Sequence, residues 1–264
     1  MIKQKHSLGQ VFLKDKKYIK RIVSTLDIKG KNVLEIGPGE GVLSSCIAQA
    51  ANKLYCVEID SRLCRLLRQK FKDTQSVEII CSDILNFPIQ ELNKKVVVFG
   101  NVPYYISSNL VEYLVRNRCC IRSAQLTLQK EFVHKLTAVP ATKSYCALSC
   151  YVQYYADVRR QFDIPAGAFK PAPKVGSTFV SLEFYRKPLY KVEDEELLFK
   201  IINTAFSQPR KKITSLVPGA KNKCDFFSGL DIDSHARPQE LSLIDYIKIT
   251  QRLSANKYFL QVDI

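Results

Sequence analysis

Asn32-Val33-Leu34-Glu35-Ile36-Gly37-Pro38-Gly39-Glu40-Gly41 is the stretch on which the fold turns. Its first five residues form an apolar run that stops at Gly37, as a buried strand does. Helical spacing begins at once afterwards, through Val42, Leu43, Cys46 and Ile47. A strand, a glycine loop and a helix in that order open an α/β sheet whose strands run mostly parallel.

Outward from this unit the alternation continues. Residues 53–59 read as a second strand, and 61–72 as a helix with Leu63, Leu66, Leu67 and Phe71 on one face. On another side of that helix Arg62, Arg65, Arg68 and Lys72 read as a solvated face. Strands are expected at 77–82, 95–100 and 124–129. Two later ones, about 156–164 and 178–185, are expected to form an antiparallel hairpin, because the Pro- and Gly-rich stretch between them is too short for a crossover helix. Past Lys187-Pro188 the strand pattern ends, and helices are expected at about 194–206, 210–217 and 239–253, punctuated by Pro209, Pro218-Gly219 and Pro238. The expectation is a Rossmann-like domain over residues 1–187, with a basic N-terminal arm, and a small all-helical domain over 188–264.

Composition narrows the class. The 264 residues are 46% hydrophobic and 25% charged, which is globular rather than disordered. No apolar run approaches a membrane span, and Met1-Ile2-Lys3-Gln4-Lys5-His6 lacks the apolar core of a signal peptide. Nine cysteines without a Cys-x-x-Cys pair fit reduced thiols better than a disulfide framework or a zinc site. A soluble, cytoplasmic protein without a metal is expected. Its net charge of +15 points to a polyanionic partner. Residues 1–31 alone hold nine basic and two acidic side chains, so nearly half the surplus sits there.

The glycine loop is spaced Gly-x-Gly-x-Gly; Val42 follows Gly41, so the dinucleotide fingerprint Gly-x-Gly-x-x-Gly fails. That form suits a nucleoside cofactor without a pyrophosphate. Glu58 ends the second strand, where a carboxylate accepts from both hydroxyls of a ribose. Asp83 ends the third, placed to accept from an adenine amine. For each acid alone a helix N-cap is the simpler role; three strand ends in register favour the ligand.

The fourth strand runs into Asn101-Val102-Pro103-Tyr104. In an open parallel sheet the ligand site lies at the carboxyl ends of the strands. An adenine exocyclic amine is a poor nucleophile because its lone pair is conjugated with the ring. Two acceptors on its hydrogens, the Asn101 side-chain oxygen and the Pro103 carbonyl, favour a pyramidal nitrogen. Tyr104 would stack on the purine, which has to be flipped out of its helix to reach the site.

Six stretches together resemble the ribosomal RNA adenine dimethyltransferase family, and its small-subunit, KsgA-type branch in particular. They are Leu8-Gly9-Gln10-Val11-Phe12-Leu13, the loop from Leu34 to Gly41, Val57-Glu58-Ile59-Asp60, Ser82-Asp83, the run from Asn101 to Ser107, and Gly167-Ala168-Phe169-Lys170-Pro171-Ala172-Pro173-Lys174-Val175. The resemblance implies a class I methyltransferase fold, S-adenosylmethionine as donor, and dimethylation of two adjacent adenines near the 3′ end of small-subunit rRNA. It implies cofactor contacts from Gln10, Val11, Leu13, Gly37, Gly39, Glu58, Ile59, Asp83, Ile84 and Asn101. Asn101, Pro103, Tyr104 and Phe169 would hold the target adenine, Phe169 covering its other face. Lys14, Lys16 and Lys17 of the arm, with Arg210, Lys211 and Lys212 of a basic tail helix, would contact RNA in a small-subunit assembly intermediate. A monomer is expected.

The chain departs from the family in three places. Val11 stands where the family usually has Asn, so only backbone can make that contact; Val102 replaces the commoner Leu; Pro209 stands where another Arg is frequent. Two other readings share the fold: the Erm type, which dimethylates a large-subunit adenine, and a non-catalytic RNA-binding assembly or transcription factor. The run Ile164-Pro165-Ala166-Gly167-Ala168-Phe169 favours the small-subunit branch, and the intact Asn101 tetrad favours catalysis. Cys146 with Cys150, and Tyr151, Tyr154 and Tyr155, read as packing groups.

Overall fold

Val96, Val97, Val98 and Phe99 are each at most 1% exposed, and the strand they form is the middle of the sheet. A run this uniformly apolar can be covered on both faces, which is the condition for a parallel sheet. In the computed structural model, which describes residues 11–217 and 226–255, nine strands are seen. They are β1 (Phe12–Leu13), β2 (Asn32–Ile36), β3 (Lys53–Glu58), β4 (Val77–Cys81), β5 (Val96–Asn101), β6 (Ile121–Gln129), β7 (Ala156–Ile164), β8 (Phe169–Lys170) and β9 (Ser177–Phe184). The helices are α1 (Lys16–Thr25), α2 (Val42–Ile47), α3 (Ser61–Lys70), α4 (Ser107–Arg116), α5 (Lys130–Leu136), α6 (Ala147–Tyr155), α7 (Glu195–Ser207) and α8 (Leu243–Ala255).

Seven strands make one sheet in the order β4-β3-β2-β5-β6-β9-β7. From β4 to β6 the pairing is parallel, and β9 runs antiparallel to both β6 and β7. The reversal of order between β2 and β5 puts the carboxyl ends of β2, β3 and β5 around one crevice. Helix starts are fixed locally: the Asp15 carboxylate accepts from Lys17 N at 2.8 Å to begin α1, and Asp60 accepts from Arg62 N at 3.0 Å to begin α3.

The late strands pair antiparallel as expected, but the loop between them is not featureless. Its Phe169–Lys170 segment forms β8 and pairs with β1, Phe12 opposite Lys170 and Leu13 opposite Phe169. Strand β6 begins three residues earlier than its apolar run suggests. Exposed Arg122 and polar Ser123 break the apolar pattern, and the ladder bulges there: Val96 pairs with Ile121 and Val97 with Ser123, so Arg122 is skipped.

The chain divides into two compact units, Met1–Val133 with Ala156–Arg186, and His134–Tyr155 with Lys187–Ile264. The second unit therefore takes in residues 134–155, which the sequence boundary near 187 left in the first. Tyr145, Cys150 and Tyr154 bury themselves with Leu198, Ile202, Tyr246 and Leu253 in one cluster, and those contacts assign the segment. Tyr151, Tyr154 and Tyr155 pack edge-on or stacked with Phe199 at 5.1–5.8 Å between ring centroids. The helix expected over 210–217 reduces to a single turn, Ile213–Ser215. Helix α7 stops at Ser207, before Pro209, whose missing N–H cannot continue it. Among the described residues no helix is long and apolar enough to cross a membrane.

Candidate active site

A cavity of about 320 Å³ opens at the carboxyl ends of β2, β3 and β5. Its floor is the glycine loop. Gly37, Gly39 and Gly41 all have φ between +60° and +71°, the left-handed region that side chains rarely adopt. At Gly39 a second reason applies: an added Cβ would lie 2.7 Å from the Phe12 ring. The loop and the N-terminal arm thus meet only because residue 39 has no side chain.

Glu58 lines the cavity, 4% exposed, and accepts from Gly39 N at 3.2 Å and Asp60 N at 3.0 Å. It ties the glycine loop to the start of α3. Burial pushes its pKa up, and the two N–H donors oppose the rise. Glu35, 2% exposed, also lines the cavity; burial lifts its pKa to about 7, and the Cys56 thiol, 3.8 Å away, donates to its Oε2. Asp83 accepts from Leu85 N at 3.0 Å, so it caps a short turn and lines the cavity at the same time. The simpler role and the ligand role coexist in one residue.

Asn101 ends β5. Its Nδ2 donates to the Val11 carbonyl at 2.9 Å, and the residue lines the cavity. The donor end of the amide is thereby occupied by the arm, which leaves Oδ1 as the acceptor. Val11 makes this contact through its backbone, the one route left by its apolar side chain. Leu13 is buried beside it. Lys14 N and Asp15 N both donate to the Ala168 carbonyl, at 2.9 and 3.2 Å, and pin the arm.

Val11, Leu13, Gly37, Gly39, Glu58, Ile59, Asp83, Ile84, Asn101 and Pro103 all line this cavity. Gln10 lies outside the described residues. Tyr104 is not among the lining residues; its hydroxyl pairs with Ser177 Oγ at 2.8 Å. Phe169 is 4% exposed, in the core with Leu13, Ile22 and Phe179, and its ring has little surface to offer a base. Lys14 forms an ion pair with Glu40 at the cavity, whereas Lys16 and Lys17 stand exposed on α1. Arg210, Lys211 and Lys212 are exposed on the turn after α7 rather than on a helix.

Two lining residues, Val42 and Tyr105, have no site role in the sequence reading. With Ile59, an expected cofactor contact, they are 38%, 60% and 48% exposed, large apolar groups left uncovered at the cavity. Tyr105 follows the Asn101 tetrad directly, an aromatic whose position was readable but whose ring direction was not. Glu35 stood in the quoted loop without an assigned role.

The family description Ribosomal RNA adenine dimethylase matches residues 1–254. The chain belongs to the ribosomal RNA adenine dimethylase family. It is similar to the Ribosomal RNA small subunit methyltransferase A of Alkaliphilus metalliredigens, 33% identical over 95% of this chain and 92% of that protein. The protein of the same name from Desulforapulum autotrophicum is 36% identical over 95% and 88%. Among solved structures, a dimethyladenosine transferase from Plasmodium falciparum superposes with a TM-score of 0.80 at 25% identity, covering 93% of this chain and 98% of that one. The 23S rRNA methyltransferase ErmE superposes with a TM-score of 0.75 at 24% identity, covering 92% and 99%, and shares the fold. The chain is a methyltransferase of this family, with the class I α/β fold.

That family and fold imply S-adenosylmethionine as methyl donor, and the chemistry of the cavity suits it. Four acids, Glu35, Glu40, Glu58 and Asp83, line it against a single Lys14, already paired with Glu40. With the Glu35 pKa lifted to about 7 and Glu40 paired, Glu58 and Asp83 carry the negative field, which disfavours a pyrophosphate and accommodates a ligand carrying positive charge. Ile59, Ile84 and Leu85 supply apolar surface for a ring. Among the described residues no group of three or more His, Cys, Asp or Glu side chains could hold a metal ion.

Proposed function

We propose that this chain dimethylates the exocyclic N6 amines of two adjacent adenines near the 3′ end of small-subunit rRNA. It would act as a monomer on an assembly intermediate of the small subunit. The observation that carries the reading is the Asn101 amide, oriented by its 2.9 Å bond to Val11 O at the mouth of an acid-lined cavity.

Glu58 would hold the ribose of S-adenosylmethionine, Asp83 its adenine amine, and Ile59 and Ile84 the ring faces. When bound, the cofactor supplies an electrophilic methyl group on a positively charged sulfur. Asn101 Oδ1 would accept one hydrogen of the target amine. The Pro103 carbonyl, which already accepts from Ile106 N at 3.2 Å, keeps a second lone pair for the other hydrogen. Holding both hydrogens draws the nitrogen away from planarity and returns its lone pair from the ring. Orientation and electrostatics therefore do the work, and Asn101 need not be a base, because the nitrogen, cationic once methylated, is acidic and releases its proton to solvent after transfer. Tyr104 would stack on the flipped purine.

Unmethylated small and large subunits offered separately with labelled S-adenosylmethionine, followed by mapping of the modified bases, test the reading. Two neighbouring labelled adenines near the small-subunit 3′ end are expected. Label only in the large subunit, or none in either, would overturn it.

A further inference from the structure

We propose that Ser177 is a positioning residue for methyl transfer, acting through Tyr104. The inference rests on the reading that Tyr104 receives the flipped base. Tyr104 belongs to a single turn, Tyr104–Ile106, and its ring hangs on two rotatable bonds. Its far end is fixed by the 2.8 Å bond between its hydroxyl and Ser177 Oγ. The hydroxyl lies on the ring's own rotation axis, so a bond there stops the ring from swinging about χ1 and fixes where its face stands. For a stacking surface that position is the function.

Ser177 is built to be the fixed end. It is 1% exposed and opens β9, where it sits opposite Gln129 of β6 on one side and Ile164 of β7 on the other. The next residue adds a second anchor. Thr178 Oγ1 donates to Asp163 Oδ1 at 2.7 Å, and Asp163 is paired with Lys130 at 2.7 Å and Arg160 at 3.2 Å. The Lys130 backbone N–H donates in turn to Gly176 O at 3.1 Å. The Lys130 ammonium holds the Asp163 carboxyl well below its ordinary range, at about 2, so the anchor stays charged at any working pH. With Ser177 gone, the half-buried Tyr104 hydroxyl loses its partner.

A double-mutant cycle on the full chain, with unmethylated small subunits as substrate, tests this. Ser177→Ala and Tyr104→Phe remove the same bond from opposite ends. Each is expected to lower kcat about threefold to tenfold, the range of one hydrogen bond. Cofactor affinity should stay unchanged, and the double variant should be no slower than either single one. An RNA fragment with 2-aminopurine at the target position gives a second readout. Stacking quenches its fluorescence, and Ser177→Ala should weaken the quench. An unchanged kcat in Ser177→Ala, or two losses that multiply in the double variant, would overturn the inference. Tyr104→Ala separates this from the underlying reading. If it abolishes quench and turnover while Ser177→Ala changes neither, only the positioning role fails; if it too changes neither, Tyr104 does not receive the base.

Discussion

Asn101 shows how one side chain divides its two ends. Its Nδ2 is spent on Val11 O, and that bond makes Oδ1 the acceptor. Asn101→Asp keeps the size and the Oδ1 acceptor but replaces the Nδ2 donor with a second oxygen, setting an anion against the Val11 carbonyl. Turnover is expected to fall on the order of a hundredfold, as for a misplaced reacting group, with the cofactor still bound by calorimetry. Near-normal turnover in this variant, or in Asn101→Ala, would remove the amide from the mechanism. Glu35 gives a pH prediction. Its pKa rises from 4.5 to about 7 because the folded chain buries it. Below 4.5 it is protonated whether folded or not. As pH rises through 4.5 the unfolded chain ionises first, and stability is lost until about pH 7, where the folded carboxyl ionises too. The loss amounts to about 3 kcal/mol at 1.36 per unit. Urea midpoints between pH 4.5 and 7.5 should therefore slope down less steeply in Glu35→Gln than in the parent. Equal slopes would mean that the carboxyl is better solvated than its burial implies.

At the scale of elements, the arm and the glycine loop are one device. The ring of Phe12 lies on Gly39, β1 pairs with β8, and Ala168 O holds the chain just beyond. Phe12→Ala should leave the arm pinned by those backbone bonds while uncovering the loop. An increase in cofactor Kd of about threefold to tenfold is expected, near 1 kcal/mol, with little change in thermal midpoint. An unchanged Kd would make the ring a packing group only. Much of this was legible beforehand. The strand at 32–36 and the carboxylates at strand ends could be read because burial and ligand geometry both act within a few residues. Strand β8 could not, since a two-residue pairing with a partner more than 150 positions away leaves no local period. The burial of Phe169 is hidden for the same reason: its motif is recognisable, but packing with Leu13 and Ile22 is decided by tertiary structure. The helix expected over 210–217 shrinks to the single turn Ile213–Ser215, whose Ile213 N–H is taken by Ala236 O of a distant segment. Residues 134–155 joined the helical unit through contacts that no sequence boundary marks.

At the scale of the whole molecule the surplus of positive charge separates from the chemistry. The cavity is acid-lined, and of the Lys and Arg side chains Lys14 alone is among its lining residues. Lys14 is drawn to Glu40, which leaves Lys16 and Lys17 as the exposed cations at the start of α1. In the second unit, the turn bearing Arg210, Lys211 and Lys212 is joined to a distant segment: Ile213 N donates to Ala236 O at 2.9 Å. Lys212 Nζ then lies 3.4 Å from His235 Nδ1, and Arg237 is also exposed. Two segments thus contribute to one basic patch that the spacing of either alone does not announce. If the patch meets rRNA phosphates, each contact releases condensed counterions, and log Kobs falls against log salt by about 0.7 to 0.9 per phosphate. Neutralising Arg210, Lys211 and Lys212 to Gln should lower that slope by about 2 to 3, and Lys16→Gln with Lys17→Gln by a smaller amount. Cofactor affinity should not move in either set, because none of these residues lines the cavity. A slope unaltered by the triple substitution would make the tail charge a solubilising surface. A triple variant that instead loses cofactor affinity would show that the substitutions disturb the fold rather than the RNA contact.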